Sequence, residues 1–71
     1  MHHEQLEVVD AAIRDAGIRI KRQQAFITEF EAKGYDLRAP LTLLSCMLIN
    51  LRTLEQQRNN LLVRIEDVVA M

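Results

Sequence analysis

The stretch Lys33-Gly34-Tyr35-Asp36 separates two long helical patterns of similar length. Gly34 can adopt the left-handed conformation that ends a helix, and Lys33 places a positive charge at the negative end of the helix dipole. Asp36 can cap the next helix by accepting a hydrogen bond from a free backbone N–H. Pro40 falls in the first turn of that helix, where a missing N–H costs little. A connection of about three residues predicts an antiparallel helical hairpin.

The length and composition of the chain limit it to one small domain. Chains below about 80 residues rarely bury enough apolar surface alone. Here 49% of the residues are apolar and only 4% are aromatic, with two glycines and one proline, which suits long helices and argues against disorder. We therefore predict a single helical domain over residues 1–71.

Charge and cysteine content point to a soluble, cytoplasmic protein. The formal charge of −1 implies no general attraction to nucleic acid or to an acidic membrane. The single cysteine, Cys46, excludes an intrachain disulfide and fits a reducing compartment. Residues 1–5 lack the apolar core of a secretion signal. The longest apolar run, residues 43–51, is far shorter than the roughly 20 residues of a membrane span.

The first helix is predicted over about residues 4–33 from a heptad stripe with one polar member. Its members are Leu6, Val9, Ile13, Ala16, Ile20, Gln23, Ile27 and Phe30. Acidic and basic residues four apart support this helix, namely Asp10 with Arg14, Asp15 with Arg19 and Glu29 with Lys33. Gly17 inside the helix costs about 1 kcal/mol relative to alanine, and the close approach of another helix would compensate for it.

The second helix is predicted over about residues 37–69, after a turn at residues 34–36. Its stripe also has one polar member: Leu37, Leu44, Met47, Leu51, Leu54, Arg58, Leu61, Ile65 and Val68. When the chain folds back, the two stripes are predicted to face each other layer by layer. In this register Phe30 meets Leu44, Gln23 meets Leu51, and Arg58 meets Ala16.

A two-helix hairpin leaves many apolar side chains uncovered. Full burial of a large apolar side chain is worth roughly 1.5 to 3 kcal/mol, so leaving the whole set in water would forfeit the stability of a small domain. We therefore predict that two copies associate about a two-fold axis into a homodimeric four-helix bundle. The predicted dimer interface consists of Phe26, Leu41, Leu43, Leu48, Leu62 and Val69.

Gln23 and Arg58 interrupt the two stripes. We expect them to form a polar core that fixes register and oligomeric state, with the Arg58 head reaching solvent or an acid such as Glu55. An alternative is that both line a small-ligand site between the helices, although a catalytic site requires more convergent polar groups than two.

No residues form a recognisable catalytic, cofactor or metal site. His2 and His3 are adjacent and so point in different directions, and two ligands do not make a zinc site; they are native residues or the remnant of a tag. Cys46 has no basic neighbour close in sequence to lower its pKa, so a buried, inert thiol is expected. The chain is therefore predicted to be a non-enzymatic module that binds a protein partner or regulates one.

The outer face of the first helix carries a basic cluster formed by Arg14, Arg19, Lys21 and Arg22. In a dimer this cluster would occur twice. Such a dimer of helical hairpins resembles the plasmid RNA-binding protein Rop in architecture and size. The resemblance implies nucleic-acid binding as an alternative function. The acidic balance and the lack of exposed aromatic residues for base stacking argue against it.

Four short segments resemble a group of small bacterial proteins that are frequent in alphaproteobacteria. In that group an I-x-R-Q segment and a G-[HY]-D turn precede a second helix ending in R-x-x-L. The matching positions are Ile20 to Gln23, Gly34 to Asp36, Leu43 with Leu44, and Arg58 with Leu61. The resemblance covers about residues 13–62 and implies a helical hairpin without an assigned activity. Leu54 and Gln57 stand where the group has histidines, so no role of those histidines transfers.

The segment Asp36-Leu37-Arg38-Ala39-Pro40-Leu41-Thr42 is similar to the H-box of sensor histidine kinases. In that family the residue before the acid is the phosphate-accepting histidine, and here it is Tyr35. Tyrosine lacks the imidazole nitrogen that attacks ATP, so the resemblance implies no phosphorelay chemistry. The same residues are also common in the first turn of any helix.

Overall fold

The chain folds into two packed antiparallel helices, as seen in a computed structural model. The structure describes the backbone of residues 2–70 and the side chains of residues 4–66. Helix α1 spans His2–Ala32 and helix α2 spans Arg38–Ala70. The helices pack against each other, and no strand occurs between residues 2 and 70. The predicted all-α helical hairpin is confirmed.

Helix α1 ends in a Schellman motif centred on Gly34. Gly34 has φ 76°, the left-handed conformation in which a Cβ would be strained. Its N–H donates to the Glu31 carbonyl at 3.0 Å, and the Tyr35 N–H donates to the Phe30 carbonyl at 3.0 Å. The Tyr35 ring packs edge-on against the Phe30 ring with centroids 5.0 Å apart, which is the hydrophobic contact typical of this motif. The carbonyls of Phe30 and Glu31 in the last turn of α1 are thereby satisfied, and the chain turns.

Helix α2 begins with a cap supplied by Asp36. One carboxylate oxygen of Asp36 accepts a hydrogen bond from the Arg38 backbone N–H at 3.0 Å, as expected from the sequence. The Leu37 carbonyl accepts from the Leu41 N–H at 2.9 Å, which starts the helical hydrogen-bond ladder. Pro40 lies in the first turn and is buried. This short helix start holds the two helices close together at the turn.

The connection spans residues 33–37 and is longer than the three residues expected. Lys33 still donates a helical hydrogen bond to Glu29 at 3.1 Å, and Leu37 accepts the first bond of α2. Both residues are therefore cap positions, half inside their helices. The predicted bounds, 4–33 and 37–69, counted these two caps as helical.

The core of the hairpin is narrow. Ala16 and Ile20 are buried, at 6% and 7% exposure, and Pro40 joins them. The other apolar members of the two stripes whose side chains are described are only half-buried. A pair of helices can cover little more than the line along which they touch, so most of each stripe keeps an open edge.

The predicted register of the two helices was wrong by about one heptad. Arg58 contacts Asp10 instead of Ala16, and Gln23 contacts Pro40 instead of Leu51. Ala16 shares a groove with Leu54, whereas the predicted register placed Ala16 opposite Arg58. Shifting one stripe by seven residues again places apolar residues opposite apolar residues, so the stripes alone could not fix the register. The tight turn fixes it, because it holds the end of α1 level with the start of α2.

Candidate interaction surface

Much apolar surface of the hairpin faces water. The accessible area is 5816 Å² for a chain of 8.2 kDa, whereas a compact monomer of this mass exposes about 4,500 Å². The molecule is a rod of 59 × 15 × 12 Å, which explains the excess. Among residues 4–66 the large exposed apolar side chains are Val8, Ile18, Phe26, Tyr35, Leu41, Leu43, Leu48, Ile49 and Val63.

One side of the seam between the helices is a groove around Gly17. Its lining residues are Asp10, Ile13, Gly17, Leu51, Glu55, Arg58 and Asn59. Leu48 and Leu62 stand one heptad before and after Glu55, and Leu41 one heptad earlier, so they extend this surface along α2. We call the surface formed by this groove and the three leucines the glycine face.

The opposite side of the seam contains Cys46. Its central groove is lined by Ala12, Asp15, Ala16, Arg19, Leu43, Cys46, Met47, Asn50 and Leu54. Near the turn the same side continues through Gln23, Phe26, Phe30, Ala39, Pro40 and Leu43. We call this surface the cysteine face. The Phe26 and Phe30 rings pack with centroids 4.3 Å apart and form its apolar end.

The residues predicted for the dimer interface divide between these two faces. Leu41 and Leu48, at 46% and 41% exposure, belong to the glycine face, together with the half-buried Leu62. Phe26 and Leu43, at 44% and 48% exposure, belong to the cysteine face. The side chain of Val69 lies outside the described residues. One flat contact with a second hairpin can therefore cover only part of the predicted set.

Gln23 reaches across the seam to the first turn of α2. Its side-chain amide donates to the Pro40 carbonyl at 2.9 Å, between residues 17 positions apart. The half-buried amide thus has a polar partner despite its place in the apolar stripe. The sequence alone could not identify the Pro40 carbonyl as the acceptor, because any nearby backbone carbonyl of α2 could accept this hydrogen bond.

Arg58 forms an ion pair with Asp10 across the seam. The Arg58 Nε donates to Asp10 Oδ1 at 2.7 Å, and the side chains are 41% and 36% exposed. The expected exposure to solvent is found, but the acid that Arg58 contacts is Asp10 instead of Glu55, and Asp10 does not make the expected ion pair with Arg14. Asp10 directly follows the stripe residue Val9 on α1. The pair could have been found by looking for an acidic residue beside the stripe of α1 that lies opposite the basic residue in the stripe of α2.

The structure does not bring Gln23 and Arg58 together. Asp10, the partner of Arg58, is 13 residues from Gln23 on α1, or about 20 Å along the helix axis. Gln23 and Arg58 also line grooves on opposite faces. The two side chains therefore cannot line one small-ligand site.

The four residues of the basic cluster, Arg14, Arg19, Lys21 and Arg22, are all exposed on α1. Arg19 forms the expected ion pair with Asp15, with Nε and Oδ2 3.2 Å apart. This pairing partly neutralises the cluster.

Cys46 is exposed in the single hairpin, contrary to the expected buried thiol. The reason is its position on the rim of the cysteine face, one step outside the stripe. Among residues 4–66 no group of three or more His, Cys, Asp or Glu side chains is placed to hold a metal ion. The side chains of His2 and His3 lie outside the described residues.

Asp36 and Arg38 form an exposed ion pair beside the turn, with a closest approach of 2.7 Å. The side-chain and backbone hydrogen bonds from Arg38 lower the pKa of Asp36 below its ordinary value of 3.8. The same carboxylate raises the pKa of Arg38. The cap at the start of α2 is thus held in its charged form.

Neither helix, within the part of the chain that the structure describes, is long and apolar enough to cross a membrane. Comparison with known proteins finds no matching family model, no significantly similar curated protein and no significantly similar solved structure. The resemblances to the alphaproteobacterial group and to the H-box therefore stay predictions.

Proposed function

We propose that the chain is a non-enzymatic interaction or regulatory module that acts as a homodimeric four-helix bundle. The observation that carries this proposal is the mismatch between apolar content and burial. Nearly half of the residues are apolar, yet Ala16 and Ile20 are the buried apolar side chains of the described hairpin. A surface of this kind favours association, because water-exposed apolar area is covered when two hairpins pack.

The area available is sufficient for a stable dimer. The accessible surface exceeds that of a compact monomer by about 1,300 Å². A standard protein interface buries about 800 Å² on each partner. A second hairpin laid along one face can therefore be accommodated within the excess. Packing two antiparallel hairpins face to face gives the four-helix arrangement.

A bundle of this type would present its outer helix surfaces to a further protein partner. The exposed Ile18, Ile49 and Val63 project from the helix sides opposite the seam and are available for such contacts. The free, exposed Cys46 supports action in a reducing compartment, and we propose the cytoplasm.

Sedimentation equilibrium over a range of about 1 to 100 µM tests the dimer, because self-association makes the apparent mass depend on concentration. The expected mass is twice the 8.2 kDa of the chain. Thermal unfolding followed by circular dichroism should show a midpoint that rises with protein concentration. A folded species of 8.2 kDa with a concentration-independent midpoint would contradict the proposal.

The alternative function is RNA binding through Arg14, Arg19, Lys21 and Arg22. Exposure of the cluster is compatible with it. The ion pair of Arg19 with Asp15 and the formal charge of −1 weaken the attraction to phosphate. Protein association therefore remains the leading proposal.

A further inference from the structure

We infer that the second copy packs on the glycine face, with one of its helices passing close over Gly17. This inference rests on the proposed homodimer and specifies which of two apolar surfaces forms it. The cysteine face then stays open in the dimer. Three independent features of the glycine face support the assignment.

The first feature is the glycine itself. Glycine in the middle of a helix lowers helix stability relative to alanine. In the single hairpin nothing explains its presence, because a Cβ placed at Gly17 would meet no heavy atom within 4 Å. Helix α2 of the same chain therefore does not approach this point closely. Because glycine has no side chain, a helix from a second copy can pack directly against the backbone at Gly17.

The second feature is a line of leucines on α2. Leu41, Leu48 and Leu62 recur at heptad spacing on the glycine face, beside the stripe that packs on α1. Leu41 and Leu48 remain 46% and 41% exposed in the single hairpin. Such a second stripe lets α2 contact α1 on one side and a partner helix on the other, which is the pattern of a helix inside a four-helix bundle.

The third feature is the distribution of charge. Asp10 and Arg58, which both line the groove around Gly17, neutralise each other at 2.7 Å. Glu55, which interrupts the leucine line, also borders the outer groove with Ile49 and Arg52, so its carboxylate sits on the rim and can stay in water. Interface cores are depleted of unpaired charge while rims are polar, and the lining of the groove around Gly17 has this arrangement.

The cysteine face differs from the glycine face in how its apolar side chains are distributed along the helices. Asp15, Arg19 and Asn50 line its central groove beside Cys46. Its exposed large apolar side chains lie at its two ends: Phe26 and Leu43 near the turn, and Val8 beside Leu61 at the far end of the hairpin. A helix laid along this face would cover the polar groups between the two apolar ends, and desolvating them opposes association.

Covering the glycine face along the length of the hairpin would also bury enough area for a stable dimer. The excess accessible surface of about 1,300 Å² per chain is larger than the roughly 800 Å² that each partner contributes to a standard interface. The occupant is a second copy, because a two-fold axis brings the same leucine line and the same Gly17 notch onto each other.

A matched pair of leucine substitutions in the full chain distinguishes the two faces. Leu48 and Leu43 lie on the same helix with similar exposure, 41% and 48%, so L48E and L43E cost the single hairpin about the same. We expect L48E to raise the dimer dissociation constant by at least about 100-fold, because it places a charge in the interface. L43E should leave the constant within about threefold of wild type, as expected for a surface substitution.

A second pair tests the close approach at Gly17. In the single hairpin a side chain at this position meets open space, and leucine has a higher helix propensity than glycine, so G17L favours the folded hairpin. In the inferred dimer it collides with the partner and should weaken association by about tenfold or more. A25L, at an exposed position of α1, is the matched control and should not weaken it.

Sedimentation equilibrium on wild type and these four variants, with circular dichroism to confirm helix content, decides the matter. Weaker association in L48E and G17L with wild-type association in L43E and A25L supports the inference. A dimer that L43E disrupts and L48E does not, or that G17L leaves intact, overturns the glycine face while the proposed dimer stands. A monomeric wild type overturns both.

Discussion

The guanidinium of Arg58 lies 2.7 Å from the carboxylate of Asp10, a residue 48 positions earlier in the chain. This pair links the second half of α2 to the N-terminal part of α1 in the register that the turn sets. Because the side chains are 41% and 36% exposed, water screens the attraction. Its value is therefore limited to about 1 kcal/mol, despite the short distance.

A double-mutant cycle with D10A and R58A should reveal a favourable coupling of about 0.5 to 1 kcal/mol. Each single change removes the same ion pair, so the double variant should lose less than the sum of the two. The measurement is urea unfolding at one fixed protein concentration, and the coupling should shrink as salt is added. Strictly additive losses at low salt would show that the two groups do not interact.

Asp15 and Arg19 provide the control for that cycle. They are also an acid and an arginine in contact, with Nε and Oδ2 3.2 Å apart. Both belong to one helix, and the side chains of Arg19 and Asp15 are 68% and 59% exposed. Their coupling should be about 0.3 to 0.5 kcal/mol, as for other helix pairs four residues apart. A coupling energy as large as that between Asp10 and Arg58 would indicate that an ion pair across the seam is no stronger than one within a single helix.

The two polar residues of the stripes explain why the hairpin was predictable and its register was not. Heptad spacing and the Gly34 turn are local properties, so the two helices and the reversal could be read from the sequence. The opposition of stripes is periodic, and a shift of one heptad still leaves most layers apolar. The partners of Gln23 and Arg58 show which register the turn selects, and neither the Pro40 carbonyl nor Asp10 could be identified as a partner from the apolar stripes alone.

Substituting Gly34 by alanine should destabilise the hairpin by about 1 kcal/mol, because an L side chain is strained at φ 76°. No neighbouring atom lies within 4 Å of the added Cβ, so the cost comes from the backbone alone. Urea unfolding at fixed concentration measures it.

The matched control is G34N. Asparagine tolerates the left-handed conformation better than alanine, so its cost should be smaller. Equal stability of G34A and wild type would mean that the Schellman turn is not formed in solution.

Asp36 should give the hairpin a pH-dependent contribution at acidic pH. Hydrogen bonds from Arg38 lower the folded-state pKa below 3.8. A group with a lowered folded pKa stabilises the fold above its unfolded pKa, and this contribution is lost as the pH falls through the folded value. Wild type should therefore lose stability relative to D36N as the pH falls below about 3.8, the ordinary value.

D36N isolates this effect because asparagine also caps helices well but does not titrate. The comparison requires urea unfolding of both proteins from neutral pH down to about pH 2, below the ordinary pKa range of aspartate. A constant difference between the two proteins over the whole range would contradict the assignment of Asp36 as a charged cap.

The sequence predicted which apolar side chains are exposed, but not how they divide between the two faces. Exposure of Leu41, Leu48, Phe26 and Leu43 followed correctly from their places beside the stripes. Residues that flank a stripe on its two sides point away from each other once a second helix occupies the seam. The division into two faces therefore became visible only when both helices were placed together, as did the open space above Gly17.

The basic cluster on α1 should not confer strong RNA binding. Replacing Arg14, Lys21 and Arg22 by glutamine removes three exposed charges without touching the seam. With a formal charge of −1 and Arg19 paired to Asp15, wild type is expected to bind a duplex RNA hairpin no more tightly than this triple variant at physiological salt. Fluorescence anisotropy of a labelled RNA at several salt concentrations measures both proteins.

A second triple variant, K33Q/R52Q/R64Q, removes the same number of exposed charges from outside the cluster and controls for net charge. Equal RNA affinity of the two triple variants would show that any RNA binding is a non-specific effect of net charge. Wild-type affinity that falls steeply with salt, with loss confined to the variant of Arg14, Lys21 and Arg22, would contradict this prediction. That pattern would move the function of the dimer from protein association to nucleic-acid binding.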